Sequence, residues 1–152
     1  MLAPFLHISG DARSIQMGTT SCIFHITGQD TADQVGMFEL MLEPGARGAG
    51  LYLHRHLTEL FYVAVGEIAL TLDSQEVRAT AGTTMFVPPG TPHGFANRSD
   101  QPARLLLVFW PPAGREQFFE GLLAMAQQNP PSQDEVLAFM EQFDQYPIAP
   151  SS

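Results

Sequence analysis

Lysine is absent from this chain of 152 residues, and cysteine occurs only once. Seven arginines stand against 16 acidic residues, so the formal net charge is −9. The chain therefore lacks the basic surface with which proteins bind nucleic acids or anionic membranes. The absence of lysine also excludes Schiff-base chemistry and lysine-bound pyridoxal phosphate.

The single cysteine, Cys22, excludes an intrachain disulfide. A reducing compartment fits this composition best. Residues 1–13 contain no basic region followed by a long apolar stretch, so we expect no signal peptide there. No apolar run approaches the roughly 18 residues of a membrane span. These features predict a cytoplasmic protein without a membrane or nucleic-acid partner.

Short apolar runs separated by glycine and proline occupy the chain as far as Trp110. They have no helical period, so they predict many short strands and an all-β barrel or sandwich. Beyond Pro111-Pro112, residues 113–128 carry apolar side chains at helical spacing. Ser132 and Glu135 then match a capping box, which predicts a second helix. We expect this tail, residues 113–152, to pack on the β domain, residues 1–112, without forming another domain.

Three of the five histidines lie in two short segments. The first segment predicts a strand from Leu51 to His56, in which His54 and His56 share a face because strand side chains alternate. A tight turn would then bring Glu59, at the start of the next strand, toward the same point. In the second segment, prolines and a glycine precede His93, which opens a further strand.

Neutral imidazoles and a carboxylate suit a divalent ion such as manganese, iron, cobalt, nickel or zinc. We therefore predict one divalent metal ion held by His54, His56, Glu59 and His93. Four protein ligands leave one or two coordination positions open, as in catalytic or ligand-binding metal sites. A His-x-His pair alone is weak support, because strand histidines often form ordinary hydrogen bonds.

These residues fall into two spaced motifs, one around each histidine segment. The motifs Gly-x5-His-x-His-x2-Glu-x6-Gly and Gly-x5-Pro-x-Gly-x2-His-x3-Asn are filled by Gly48, His54, His56, Glu59, Gly66, Gly82, Pro88, Gly90, His93 and Asn97. Together they resemble the two conserved motifs of the cupin superfamily, the cupin 2 conserved barrel. The gap between His56 and Glu59 is shorter than the family's three or four residues. If Glu59 falls short of the metal, a set of three histidines with water is the alternative.

The resemblance implies an all-β cupin barrel, also called a double-stranded β-helix or jelly roll, with a C-terminal two-helix tail. The segment from Pro112 to Phe119 resembles the tail of small bacterial single-domain cupins related to quercetinases. Cupins of this size commonly pair through sheet edges, so a homodimer is expected. For Glu59 the resemblance implies a double role, as metal ligand and as proton acceptor from a substrate hydroxyl.

Apolar residues on the predicted strands favour a planar or aromatic small molecule in the barrel over a sugar. The candidates for the lining are Met37, Leu40, Tyr52, Phe61, Val63, Phe86, Phe95, Val108 and Trp110. The leading hypothesis is a metal-dependent, quercetinase-like dioxygenase acting on a small aromatic or enolic substrate. The alternatives are a non-redox isomerase or lyase that uses the metal as a Lewis acid, and a non-catalytic cupin that binds a small ligand.

Overall fold

The computed structural model describes residues 1–128 and 130–149, so residues 129 and 150–152 of the predicted tail lie outside the described part. Eleven strands and two helices follow one another in these ranges: β1 (Ser14–Met17), β2 (Thr20–Ile26), β3 (Gly36–Leu42), β4 (Ala49–Leu53), β5 (Thr58–Val65), β6 (Glu67–Leu72), β7 (Gln75–Thr80), β8 (Thr84–Val87), β9 (His93–Ala96), β10 (Ala103–Trp110), α1 (Arg115–Gln127), α2 (Gln133–Gln142) and β11 (Tyr146–Pro147). The predicted all-β barrel with a two-helix tail is confirmed.

The strands form two antiparallel sheets around one core. The larger sheet has the order β1-β2-β3-β10-β5-β8, and the smaller sheet has the order β11-β4-β9-β6-β7. β5 lies between β10 and β8, while β9 lies between β4 and β6. Because β5 carries Glu59 and β9 carries His93, each sheet contributes one candidate site residue from a strand that is paired on both sides.

Alternation along the strands decides which side chains reach the core. In β10, Leu105, Leu107 and Phe109 are buried, and the residues between them are only partly buried. The same two-residue period in β5 buries Glu59 together with Phe61. A carboxylate therefore occupies an inward position in an otherwise apolar row, where a buried charge needs partners.

The tail packs its aromatic side chains against the barrel and against itself. In α1, the Phe119 ring lies 5.3 Å from the ring of the barrel residue Phe38. Phe118 stacks on Phe139 of α2, with 6.0 Å between the ring centroids. The capping box predicted at Ser132 is present. In the described ranges, neither helix is long and apolar enough to cross a membrane.

After α2 the chain returns to the barrel as β11, a strand that the sequence did not predict. It pairs antiparallel with β4, and Tyr146 lies opposite Leu53. The side chain of Arg55 covers the Tyr146 ring at 4.0 Å from the ring centroid. This pairing places the residues between α2 and β11 directly beside the turn that follows β4.

Candidate metal centre

Three buried side chains meet inside the barrel: His54 from the segment after β4, Glu59 from β5 and His93 from β9. The Nε2 atoms of both histidines lie 2.8 Å from Glu59 Oε2. None of the three side chains is more than 2% exposed. One ligand atom from each lies within 4.8 Å of the others, so the group could hold a metal ion.

Backbone carbonyls set the tautomer of both imidazoles. Nδ1 of His54 lies 2.6 Å from the carbonyl oxygen of Asp144, and Nδ1 of His93 lies 2.8 Å from that of Thr91. A carbonyl oxygen only accepts hydrogen bonds, so each Nδ1 carries the proton and donates it. In a neutral imidazole the proton is then absent from Nε2, whose lone pair faces Glu59.

Two nitrogen lone pairs and a carboxylate oxygen repel one another unless a cation lies among them. The 2.8 Å separations are close to the roughly 3 Å between neighbouring ligands that each lie about 2.1 Å from one ion. Histidines that donate their second N–H to a carbonyl are also typical of metal sites. The donor set therefore fits a divalent transition metal with further coordination positions open.

The environment of Glu59 keeps its carboxylate ionised. Burial raises the pKa of Glu59. When both imidazoles carry a proton at Nε2 in place of a metal ion, their hydrogen bonds and charges outweigh burial and lower this pKa to about 2. The hydroxyl of Tyr52 also donates to Glu59, at 3.2 Å from Oε2 and 3.4 Å from Oε1. Burial and the Glu59 charge raise the pKa of Tyr52 well above its ordinary value, so Tyr52 stays a donor.

His56, the fourth predicted ligand, lies outside this cluster, and its side chain is exposed. The prediction that the strand runs to His56 is wrong, since β4 ends at Leu53. The backbone N–H groups of Arg55, His56 and Leu57 instead donate to the carboxylate of Asp144 at 2.8 to 2.9 Å. This turn breaks the alternation that would place both histidines on one face. The four-residue ligand set stays a prediction, with three of its members together.

A cavity of about 670 Å³ lies beside Glu59, and both the barrel and the tail line it. Its apolar wall includes Leu40, Tyr52, Phe95, Leu107, Phe109, Phe118, Phe119, Leu122 and Met140. Of the lining residues expected from the sequence, Leu40, Tyr52 and Phe95 are found here, whereas Phe86 is 59% exposed on β8. The apolar character agrees with the expectation, but much of this wall comes from the tail.

Sequence reasoning missed the polar residues that the tail brings to this region. Arg115 and Gln145 both line the cavity, and Asp144 holds His54 and the turn after β4. No local motif marks Asp144 or Gln145, because their partners lie about 30 to 90 residues away. Arg115 could have been noticed from the sequence. A cation in the first turn of a helix is unfavourable with the helix dipole, so its presence there indicates a role other than helix stabilisation.

Comparison with known proteins shows that the candidate metal site lies in a region that matches a known family. A family model described as a cupin domain matches residues 38–109. An uncharacterized protein of Methanocaldococcus jannaschii is 34% identical over 71 residues, which cover 45% of this chain and 57% of that protein. Quercetin 2,3-dioxygenase of Bacillus subtilis is 30% identical over 98 residues, which cover 63% of this chain and 28% of that enzyme. The chain thus matches less than two thirds of either relative.

Among solved structures, a protein from Silicibacter pomeroyi described as a sugar phosphate isomerase from a cupin superfamily is 26% identical. The alignment has a TM-score of 0.59 and covers 70% of this chain and 75% of that chain. The solved structure shares the fold of this chain, and the two named proteins, a quercetin 2,3-dioxygenase and a sugar phosphate isomerase, differ in the reactions that their names describe.

Proposed function

Because this chain belongs to the cupin superfamily and holds a His-Glu-His group that could bind a metal, we propose that it is a metal-dependent dioxygenase of small aromatic or enolic substrates. The observation that carries the proposal is the pair of Nε2 lone pairs directed at Glu59 beside an apolar cavity. The similarity to quercetin 2,3-dioxygenase over 98 residues supports dioxygenase chemistry.

Within this proposal, His54, Glu59 and His93 would hold the ion, which would supply a Lewis acid. Glu59 Oε2 faces both imidazoles, which leaves Oε1 to accept a proton from a substrate hydroxyl. Tyr52 steadies the carboxylate through its hydroxyl. The aromatic wall excludes water and holds a planar substrate against this face.

Oxygen consumption by the metal-loaded protein tests the reaction directly. Flavonols and other enolic aromatics are supplied in turn, and Glu59→Gln is the matched variant because it keeps the size of the side chain but not its charge. The proposal expects substrate-dependent oxygen uptake that falls by about a hundredfold or more in Glu59→Gln, as for loss of a general base. Wild-type uptake in a Glu59→Gln variant that binds metal normally would refute the role of Glu59.

A non-redox isomerase or lyase is the second candidate, favoured by the 26% identical structure described as a sugar phosphate isomerase. In that case the same residues would hold a metal that acts only as a Lewis acid. Turnover without oxygen, in protein reconstituted with zinc, would identify this reaction. A protein that binds a small ligand with no turnover under either condition would be the non-catalytic cupin.

The proposal also covers partners and location. The outer face of the larger sheet exposes large apolar side chains, including Phe86 at 59% and Tyr62 at 38%. β8, which carries Phe86, is an edge strand, and edges of this kind are commonly covered by a partner. We therefore propose a homodimer that covers this edge.

A reducing, cytoplasmic location is proposed from the single buried cysteine.

A further inference from the structure

Arg115 is a buried cation whose hydrogen bonds are incomplete. Its side chain is 1% exposed, and Nη1 donates to Gln145 Oε1 at 2.9 Å. Nε and Nη2 have no hydrogen-bond partner among the described residues. These two atoms form one edge of the guanidinium group, which presents two parallel N–H donors. Leaving such donors unpaired in a protein interior is costly, so an edge of this kind calls for an acceptor.

The neighbours of Arg115 hold its position without satisfying that edge. The guanidinium carbon lies 4.3 Å from the centroid of the Phe118 ring and 5.4 Å from that of Phe109. Aromatic faces attract the charge but accept no strong hydrogen bonds. Burial lowers the pKa of Arg115 to about 10, against the negative charges of Glu59 and Asp144, so the side chain remains a cation near neutral pH.

Arg115 shares its cavity with the face of the proposed metal site. Arg115, Glu59 and Tyr52 all line the same space of about 670 Å³, whose other walls are mostly apolar. The Glu59 carboxylate already faces two imidazole nitrogens and accepts a hydrogen bond from Tyr52. Arg115 places a cation in these apolar surroundings, and a divalent ion at Glu59 would add positive charge beside the cavity, which favours an anionic ligand.

We propose that Arg115 binds the carboxylate group of the substrate through Nε and Nη2, so that the substrate class is a small aromatic or enolic monocarboxylate. Two parallel donors match the two oxygens of a carboxylate. The apolar wall would take the body of the molecule, and the enolic or hydroxyl oxygen would lie toward Glu59. The inference rests on the proposed function, because it assumes that substrate occupies this cavity. Arg115 acts here as a binding and positioning residue.

Binding of acid and amide pairs tests this inference without any need for turnover. Benzoate, phenylacetate and 3-phenylpropionate are each compared with the corresponding neutral amide by titration calorimetry on the metal-loaded protein. We expect at least one acid to bind about tenfold or more tightly than its amide, because a paired charge is lost in the amide. In Arg115→Met this preference should disappear, while the metal content stays at the wild-type value.

Two controls distinguish binding by Arg115 from binding by another cation. Arg78→Met removes an arginine whose side chain is 82% exposed, and it should keep the preference for acids. The second control removes the metal from the wild-type chain with a chelator, so that it does not depend on the folding of Arg115→Met. Because the arginine and not the ion binds the carboxylate, the metal-free wild-type chain should still bind acids more tightly than their amides.

Three results would overturn the inference. Equal affinity for every acid and its amide in the wild type would show that no carboxylate site exists. An unchanged preference in Arg115→Met, or its loss on chelation, would assign the carboxylate to another group. Failure of the metal-site proposal would appear separately, as a protein that binds no metal but still prefers acids.

Discussion

Asp144 fixes the backbone of the turn that follows β4. Its carboxylate accepts three backbone N–H groups, from Arg55, His56 and Leu57, and its carbonyl oxygen accepts from His54. The sequence motif predicts both His54 and His56 as metal ligands, since the two histidines have the spacing of one strand face. A residue about 88 positions further along separates them, and no local pattern could have predicted that.

Replacing Asp144 tests this residue's role in the turn. Asp144→Asn loses the charge that strengthens three hydrogen bonds, so we expect the free energy of unfolding to fall by about 1–3 kcal/mol. Urea denaturation at neutral pH measures the loss. Asp100→Asn, at an exposed loop position, is the matched control and should be neutral. Equal stability of Asp144→Asn and the wild type would contradict this role.

The wild type and Asp144→Asn should differ in their free energy of unfolding by an amount that depends on pH, because the pKa of Asp144 is lowered in the folded protein. Burial raises this pKa, but the backbone N–H groups of Leu57, Arg55 and His56 outweigh burial and lower it below 3.8. The ionised carboxylate therefore stabilises the fold fully above the unfolded pKa of about 3.9, and this contribution is lost as the pH falls through the lower folded value. The gap between wild type and Asp144→Asn should be constant near pH 5–8 and narrow below about pH 4. A gap that widens in acid would refute this assignment.

At the scale of elements, the sequence predicts what depends on neighbours along the chain. The two-residue period locates the buried face of β5, and the residues Ser132 and Glu135 locate the start of α2. The end of β4 is different, because Asp144 of the tail determines it. β11 has only two residues and pairs with a distant strand, so its sequence carries no usable period.

The capping box gives a prediction at this scale. Ser132 accepts from the Glu135 N–H at 3.1 Å, and Glu135 accepts from the Ser132 N–H at 2.7 Å. Ser132→Ala should lower the free energy of unfolding by about 1 kcal/mol. Ser132→Thr should lower it much less, because threonine can also cap the helix. Thermal or urea denaturation of the full chain measures both. A Ser132→Ala protein as stable as the wild type would mean that α2 contributes nothing to the cooperative fold.

At the scale of the whole molecule, the barrel could be predicted and the cavity could not. Two spaced motifs predict the barrel and place Glu59 and His93 within it. The cavity depends on how the tail packs on the barrel, which places Phe118, Met140 and Arg115 around the same space as Leu107. Each of these contacts joins parts of the chain that have no shared pattern, so they emerge only from the packed structure.

The proposed homodimer is tested by the mass of the protein in solution. Light scattering after size-exclusion chromatography should give twice the 16.7 kDa of one chain. Phe86→Asp places a charge on the exposed edge strand β8 and should yield monomers, since burying an unpaired charge is costly. Val77→Asp, at a residue 45% exposed on β7, should leave the dimer intact. A wild-type monomer, or a Phe86→Asp dimer, would contradict this interface.

Metal binding by His54, Glu59 and His93 underlies the proposed reaction, and elemental mass spectrometry of the untagged chain measures it. We predict about one transition-metal ion per chain in the wild type, a loss of about tenfold or more in affinity for His54→Ala and His93→Ala, and no loss for the exposed control His7→Ala. His56→Ala should lose less than His54→Ala, because its side chain lies outside the cluster. A wild-type protein that takes up no metal even after reconstitution, or equal loss in His7→Ala and His54→Ala, would contradict the assignment of these ligands.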